Sequence, residues 1–279
     1  MTTQRREGTV VTNPRNERVR SVAALARRSV RSRRGQFVAE GPQSVEEAVR
    51  HRPDVVSHLY VEQDEAGRQG EIAALARAAG IPVSHIDARV LAAMSDAHAP
   101  QGPVAVCRHL DVSLADVLAA APRLLCVLAH VRDPGNAGTV LRGADACGVD
   151  AVIVTDGSVD VYNPKVVRST AGSLFHVPLV LGVAIQPLLE QLRGSGLATY
   201  ATDSAGATRL DEADLTTAHA WVFGNEAWGL PEDTRRSCDK VIRIPIRGRA
   251  ESLNLAMAAT LCLFGSSSAQ HTAGSTLDR

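Results

Sequence analysis

The chain has 279 residues, 45% hydrophobic and 22% charged, with a formal net charge of zero. This excludes a wholly disordered chain, and no apolar run approaches the ~20 residues that a membrane-spanning helix needs. The first residues carry charge with no hydrophobic stretch behind them, so no secretory signal is expected and the protein reads as soluble and cytoplasmic.

Residues 1–12 are small, polar and aperiodic and read as a flexible tail. A small α/β domain is expected over 13–108. Its first helix shows one apolar face, Val19, Val22, Ala23, Leu25 and Ala26, and is otherwise studded with arginine. Residues 1–53 hold 12 Arg and 5 acids, a balance of +7, and the rest of the chain balances at −7. Between positions 15 and 34 there are eight Arg and one acid, Glu17. Such a block on a neutral chain points to a polyanion partner, the plainer alternative being a solvated helix face. Arg15, Arg18, Arg27, Arg28, Arg31, Arg33 and Arg34 are the candidate phosphate contacts. FVAE (37–40) reads as a strand, and Gly41-Pro42 opens a helix through Val49, with proline where a missing N–H costs little. Strands at 59–61 and 81–86 enclose a helix at 71–79, and 104–107 closes the domain. Residues 109–122 read as a linker.

The second domain, 123–265, opens with LLCVLAH (124–130), a continuous apolar run typical of a strand covered on both faces. A helix over 136–147 is ended by Gly148, and AVIVT (151–155) follows as a strand. A helix runs from Asn163-Pro164 towards Phe175, VPLVL (177–181) is extended, and 187–193 is helical. Strands are expected at 197–202, 220–223 and 241–244. The last helix, 252–264, is apolar nearly all round, which suits burial on all sides or a subunit interface. Residues 266–279 read as a second flexible tail. Alternating strands and helices predict a doubly wound α/β fold with a parallel sheet.

Five cysteines form no C-x-x-C pair, and nine histidines show no H-E-x-x-H, so neither a disulfide scaffold nor a metal site is expected. There is no G-x-x-x-x-G-K-S/T, no G-x-S-x-G elbow, and DPGNAG (133–138) lacks dinucleotide-fingerprint spacing. Three segments of the second domain stand out instead. Asn136, Gly138 and Arg142 sit at the start of a helix, with Arg142 expected in its second turn. Gly224, Asn225, Glu226, Gly229 and Leu230 follow a strand, where two glycines allow close backbone approach. Ile244, Pro245 and Ile246 precede Ser252, Leu253 and Asn254, and Ser252 or Glu251 reads as the cap of the last helix.

In order and spacing, these segments resemble the three signature motifs of the SpoU branch of the SPOUT superfamily, the RNA ribose 2′-O-methyltransferases. YNPKVVRSTAGSLFHVP (162–178) resembles the family's intermediate segment, and the resemblance covers about 124–264, with 13–108 similar to its small substrate-binding domain. Cys147 departs from the aromatic that many relatives carry. The resemblance implies a trefoil-knotted C-terminal domain, S-adenosylmethionine as cofactor, a homodimer through that domain, and no metal. It assigns the cofactor to Gly224, Asn225, Gly229, Ile244, Ile246, Leu253 and Asn254. It assigns the chemistry to Arg142, Asn136, Glu226, Ser252 and Asn254, Arg142 as a base or as an electrostatic stabiliser, and makes Arg168 a second phosphate contact. Among relatives the chain looks most similar to the 23S rRNA methyltransferases, including those of the thiostrepton-resistance type. A tRNA 2′-O-methyltransferase and a non-catalytic RNA-binding protein are the alternatives, with a nicotinamide dehydrogenase third. At 3% aromatic, a base-stacking platform of the RRM kind is not expected.

Overall fold

The computed structural model describes residues 10–63 and 67–277, with side chains to 273. It divides into two units, one of residues through His109 together with Tyr162–Phe175, the other Leu110–Val161 together with His176 onward. The intermediate segment expected in the second domain therefore belongs to the first unit.

In the first unit the expected single helix is two. α1 (Glu17–Ala23) and a 3-10 turn (Ala24–Ala26) end where Arg27 turns extended, and α2 (Arg28–Arg34) begins afresh. Asn16 caps α1 by accepting from Arg18 N. Arg31 is 2% exposed, and its guanidinium donates to the carbonyls of Leu25 at 2.8 Å and Ala26 at 2.7 Å. The break frees these carbonyls and Arg31 satisfies them, so its assignment as a phosphate contact is corrected. Arg34 ties α2 to α1 by donating to Ser21 O and Oγ, at 3.0 and 2.7 Å. Then follow β1 (Gln36–Glu40), α3 (Pro42–His51), β2 (Val56–Glu62), α4 (Arg68–Ala78), β3 (Val83–Ile86), α5 (Ala88–Met94) and β4 (Val104–Arg108). The sheet order is β1-β4-β2-β3. Period-2 alternation sends Val38 to the face packed by Val19, Val22, Leu25, Val90 and Leu91. Phe37 goes to the other face and stacks on Tyr162 at 4.7 Å. Val11 bridges Ile86, so the expected tail already joins the sheet there; residues 1–9 lie outside the described residues.

The expected linker holds α6 (Leu114–Ala119), whose Leu114 and Val117 enter the second unit's core. That unit continues with β5 (Leu124–Leu128), α7 (Pro134–Ala146), β6 (Ala151–Thr155), α8 (Pro164–Ser169, in the first unit), β7 (Leu179–Val183), α9 (Ile185–Gly194), β8 (Ala198–Thr202) and β9 (Thr208–Arg209). β10 (His219–Phe223), α10 (Glu232–Ser237), β11 (Lys240–Arg243) and α11 (Leu255–Leu277) complete it. The sheet order is β7-β6-β5-β10-β8-β11-β9, every pair parallel. All five residues of β5, β6 and β10 are buried, as strands covered on both faces require. α11 packs against α7, β5 and β10. It starts at 255, not 252, and its helix absorbs most of the expected C-terminal tail; residues 278–279 lie outside the described residues. No helix is long and apolar enough to cross a membrane among the described residues.

α11 is fastened to the sheet by a buried polar group. His219 Nδ1 lies 2.7 Å from the Thr217 carbonyl, which only accepts, so Nδ1 carries the proton. Nε2 then accepts from Ser266 Oγ at 2.7 Å, and Ser266 Oγ accepts from Trp221 Nε1 at 2.8 Å. Burial lowers the His219 pKa, against smaller raising effects of Thr217 and Asp214. The unfolded chain therefore binds the proton more readily, and the stability is full above about pH 6.5 and lost as pH falls below it. His58, also lowered by burial, acts with the same sign. Urea midpoints should drop from pH 7.5 to 5.5 in the wild type and drop less in His219→Gln; an equal drop in both refutes the assignment.

Candidate active site

Parallel strands bring their carboxyl ends to one edge. From β5 the order steps outward through β6 and β7 on one side, and β8 lies on the other side of β10. The crevice at β5 and β10 is thus where the strand order reverses, the usual ligand position in an open α/β sheet. The first two motif segments leave the sheet there, and the third is brought in by α11.

After β10 the backbone closes a tight loop: Asn225 N donates to Gly229 O and Gly229 N donates to Asn225 O, both at 2.9 Å. A Cβ at Gly224 would lie 2.4 Å from Gly229 C, so only glycine fits. Gly229 has φ +70°, which favours glycine as well. The buried Asn225 side chain donates from Nδ2 to the His130 carbonyl at 2.8 Å and accepts from Ala227 N at 2.9 Å. It joins this loop to the end of β5.

Asp133 caps α7, accepting from Asn136 N at 2.7 Å. Glu226 accepts from Arg132 N at 3.3 Å, Asp133 N at 3.2 Å and Asn136 Nδ2 at 3.3 Å. Asn136 Oδ1 accepts from Asn254 Nδ2 at 2.9 Å. Asn254 Oδ1 accepts from Ala256 N at 2.9 Å and caps α11. The three motif segments are therefore joined at one amide. The cap of α11 is Asn254, not the expected Ser252 or Glu251, both of which are exposed. α7 and α11 run parallel: Asn136 meets Asn254 at their starts, and further along a Cβ on Gly143 would lie 2.9 Å from Thr260 Oγ1. Their positive dipole ends share the site.

Arg142 is the ninth residue of α7, in its third turn rather than the second. It is exposed, with no hydrogen bond or ion pair among the described residues. Ile244 and Leu253 are half-buried and Ile246 is exposed, on the segment between β11 and α11. Among the described residues the main chain of 245–252 takes no hydrogen-bond partner. Arg168 is drawn into the first unit, where it pairs with Asp96 at 2.6 Å and Glu40 at 3.5 Å, a placement that counts against a phosphate role. Arg15, Arg18, Arg27, Arg28 and Arg33 are exposed. Sequence reasoning passed over Asp133, His130 and Trp228. An aspartate before Pro134 is a readable cap signal, whereas nothing in the sequence marks the other two.

Residues 123–264 match the SpoU rRNA Methylase family, and residues 16–105 match the MRM3-like substrate binding domain. The chain is 31% identical over 254 residues to the 23S rRNA (guanosine(2553)-2'-O)-methyltransferase RlmP of Bacillus subtilis (strain 168), a match covering 91% of this chain and 97% of that protein. It is 32% identical to the 23S rRNA (uridine(2479)-2'-O)-methyltransferase of Streptomyces viridochromogenes, over 87% of this chain and 86% of the relative. The structure of an AdoMet-bound rRNA methyltransferase from Sinorhizobium meliloti aligns with a TM-score of 0.80 at 28% identity, over 92% of this chain and 97% of that one.

The loop geometry makes a direct prediction. Gly224→Ala forces backbone apart and should cost about 1–3 kcal/mol or more, whereas Gly248→Ala, with nothing within 4 Å, should be neutral. Thermal melting of the two variants side by side checks this; equal melting temperatures would contradict it.

Proposed function

The chain belongs to the SpoU rRNA methylase family, and on that premise we propose that it transfers the methyl of S-adenosylmethionine to a ribose 2′-hydroxyl of structured RNA, the RNA being 23S rRNA. The observation that carries this is the joining of three motif segments at Asn136, in the crevice where the strand order reverses. Both relatives compared above are 23S rRNA 2′-O-methyltransferases by name. Binding without transfer has no observation of its own, and the two relatives favour rRNA over tRNA. A cytoplasmic location goes with an rRNA substrate.

The residues fit the cofactor. The main chain of 245–252 has free N–H and C=O groups beside the half-buried Ile244 and Leu253, as recognition of an adenosyl group through backbone requires. Gly224, Asn225, Gly229, Ile244, Ile246, Leu253 and Asn254 are the residues proposed to hold it, and the knot's threaded segment falls on this return from β11 to α11. When bound, S-adenosylmethionine supplies an electrophilic methyl group. The chain itself must then orient one hydroxyl and ease the loss of one proton. Asn136 and Asn254 orient by hydrogen bonding, and Ser252, two residues before Asn254, is exposed. Glu226, already accepting from three N–H groups, fixes the loops and is not the proton acceptor. A guanidinium stays protonated, so Arg142 stabilises the developing alkoxide or clamps the neighbouring phosphate.

RNA affinity falls to the exposed arginines of the first unit. Dimerisation falls to α11, where Met257, Leu261 and Phe264, at i, i+4 and i+7, are 60%, 48% and 64% exposed. Such a stripe is costly to leave in water.

Four outcomes follow for tritiated methyl transfer to a 23S rRNA transcript, calorimetry with cofactor and RNA, thermal melting and light scattering. Arg142→Ala should abolish transfer and leave cofactor affinity unchanged; an active variant defeats the assignment. Gln at Arg27, Arg28 and Arg33 together should reduce the slope of log affinity against log salt by roughly 0.7–0.9 for every phosphate left without its arginine. Arg31→Gln should instead lower the melting temperature, because the carbonyls of Leu25 and Ala26 lose their donor. The wild type should scatter as twice its 29.5 kDa chain mass, and Leu261→Asp with Phe264→Asp should return it to one; a wild type of single-chain mass contradicts the dimer.

A further inference from the structure

The chain has nine aromatic residues. Phe37, Tyr60, Tyr162, Phe175, Tyr200, Trp221 and Phe223 are buried, which leaves Phe264 at 64% exposed and Trp228 at 50% exposed. Phe264 belongs to the apolar stripe of α11. Trp228 has no such company. It stands in the 225–229 loop, two residues after Glu226, and its ring neighbour is His130, at 5.9 Å between centroids and 41° between planes.

His130 is held for this position. Its φ is 58°, a region that L side chains rarely adopt and that clusters at functional sites. Both sides of its backbone are pinned: N donates to Thr155 Oγ1 at 3.2 Å, and O accepts from Asn225 Nδ2 at 2.8 Å. A Cβ on Gly157 would come within 3.0 Å of His130 Nδ1, so the glycine leaves room for the imidazole. The surroundings thus fix the His130 ring beside Trp228, tilted by 41°, next to the loop that follows β10.

We propose that Trp228, backed by His130, stacks on an unpaired nucleobase of the substrate RNA and thereby sets the ribose before Asn136 and Arg142. The proposal rests on the RNA methyl-transfer reading above. A 2′-hydroxyl cannot be brought to a fixed point while its nucleotide turns freely, and phosphate contacts position a backbone without holding a base. Unpaired bases are taken up on aromatic faces, and a single ring accepts any base because each has a π-face. This needs no platform of rings in the first unit, consistent with the burial there of Phe37, Tyr60 and Tyr162. Trp228 is a recognition residue; His130 is a positioning residue.

The test combines transfer kinetics on an unmodified 23S rRNA transcript, calorimetry with S-adenosylmethionine, and tryptophan fluorescence. Trp228→Ala should raise the KM for RNA roughly tenfold or more and lower kcat at saturating RNA, since the bound ribose is no longer held, while cofactor affinity holds. Trp228→Phe should restore most of the KM, and His130→Ala should raise KM less than Trp228→Ala. The transcript should quench wild-type emission, and the quench should vanish in Trp228→Phe, because the remaining Trp221 is buried. An unchanged KM in Trp228→Ala, or an active wild type without quench, overturns the proposal. A loss of cofactor affinity matching the loss in KM also overturns it, since the ring then packs on the cofactor. A wild type that is inactive on the transcript but quenched by it overturns the function proposed above and leaves the stacking standing.

Discussion

The amide of Asn136 is held from both ends, and the arrangement at the strand ends depends on it. Glu226 has only lone pairs to offer, so Asn136 must turn Nδ2 towards it and Oδ1 towards Asn254. Asn254 must then present Nδ2 to Asn136 and Oδ1 to the first N–H groups of α11. One direction of donation runs through three motif segments, 90 residues apart from Asn136 to Glu226 and 118 from Asn136 to Asn254. Close approach at a glycine makes this possible twice over. Gly224 lets the loop after β10 fold onto Gly229, and Gly143 lets α7 lie against Thr260 of α11. Without either approach, Glu226 or Asn254 would miss the amide.

Much of this was legible because it is written in local chemistry. The apolar runs of β5, β6 and β10 and the Gly148 stop of α7 place these four elements to within two residues. The boundaries went wrong where tertiary contact decides. Polar GSSSAQ (265–270) reads as a tail, yet Ser266 lies buried between His219 and Trp221, and Gln270 reaches the Arg123 and Thr217 carbonyls. Small residues there are helix, because a packed partner overrides weak propensity. Likewise 109–122 reads as a linker until Leu114 and Val117 find a core. The residues of the candidate site were readable by motif; their connections were not, since a sequence does not say which way an amide turns.

The arginines carry the same lesson in charge. From the sequence, eight between positions 15 and 34 look equivalent. The structure sorts them by backbone demand. The break between Ala26 and Arg28 leaves carbonyls that need donors, and Arg31 is spent on them; Arg34 is spent on Ser21. Arg15, Arg18, Arg27, Arg28 and Arg33 stay exposed, so the basic character of the first unit survives the withdrawal of Arg31 into its interior. Arg168, expected as a second phosphate contact, pairs with Asp96 and Glu40 instead.

Charge pairing in the second unit sharpens what Arg142 is for. Arg193, Arg209, Arg235 and Arg236 each lie against a carboxylate, which cancels most of their field at the surface. Arg142 has no such partner among the described residues, although it stands on the helix that carries Asn136. A guanidinium already paired could stabilise new negative charge only by giving up its partner, and the exchange would cancel much of the gain. An unpaired one meets the charge as it develops, with no reorganisation at that moment. Glu226 is committed to three N–H groups that hold two loops together. On the function proposed above, carboxylate and amides fix the geometry, and Arg142, unpaired among the described residues, is available for the charge that the reaction creates.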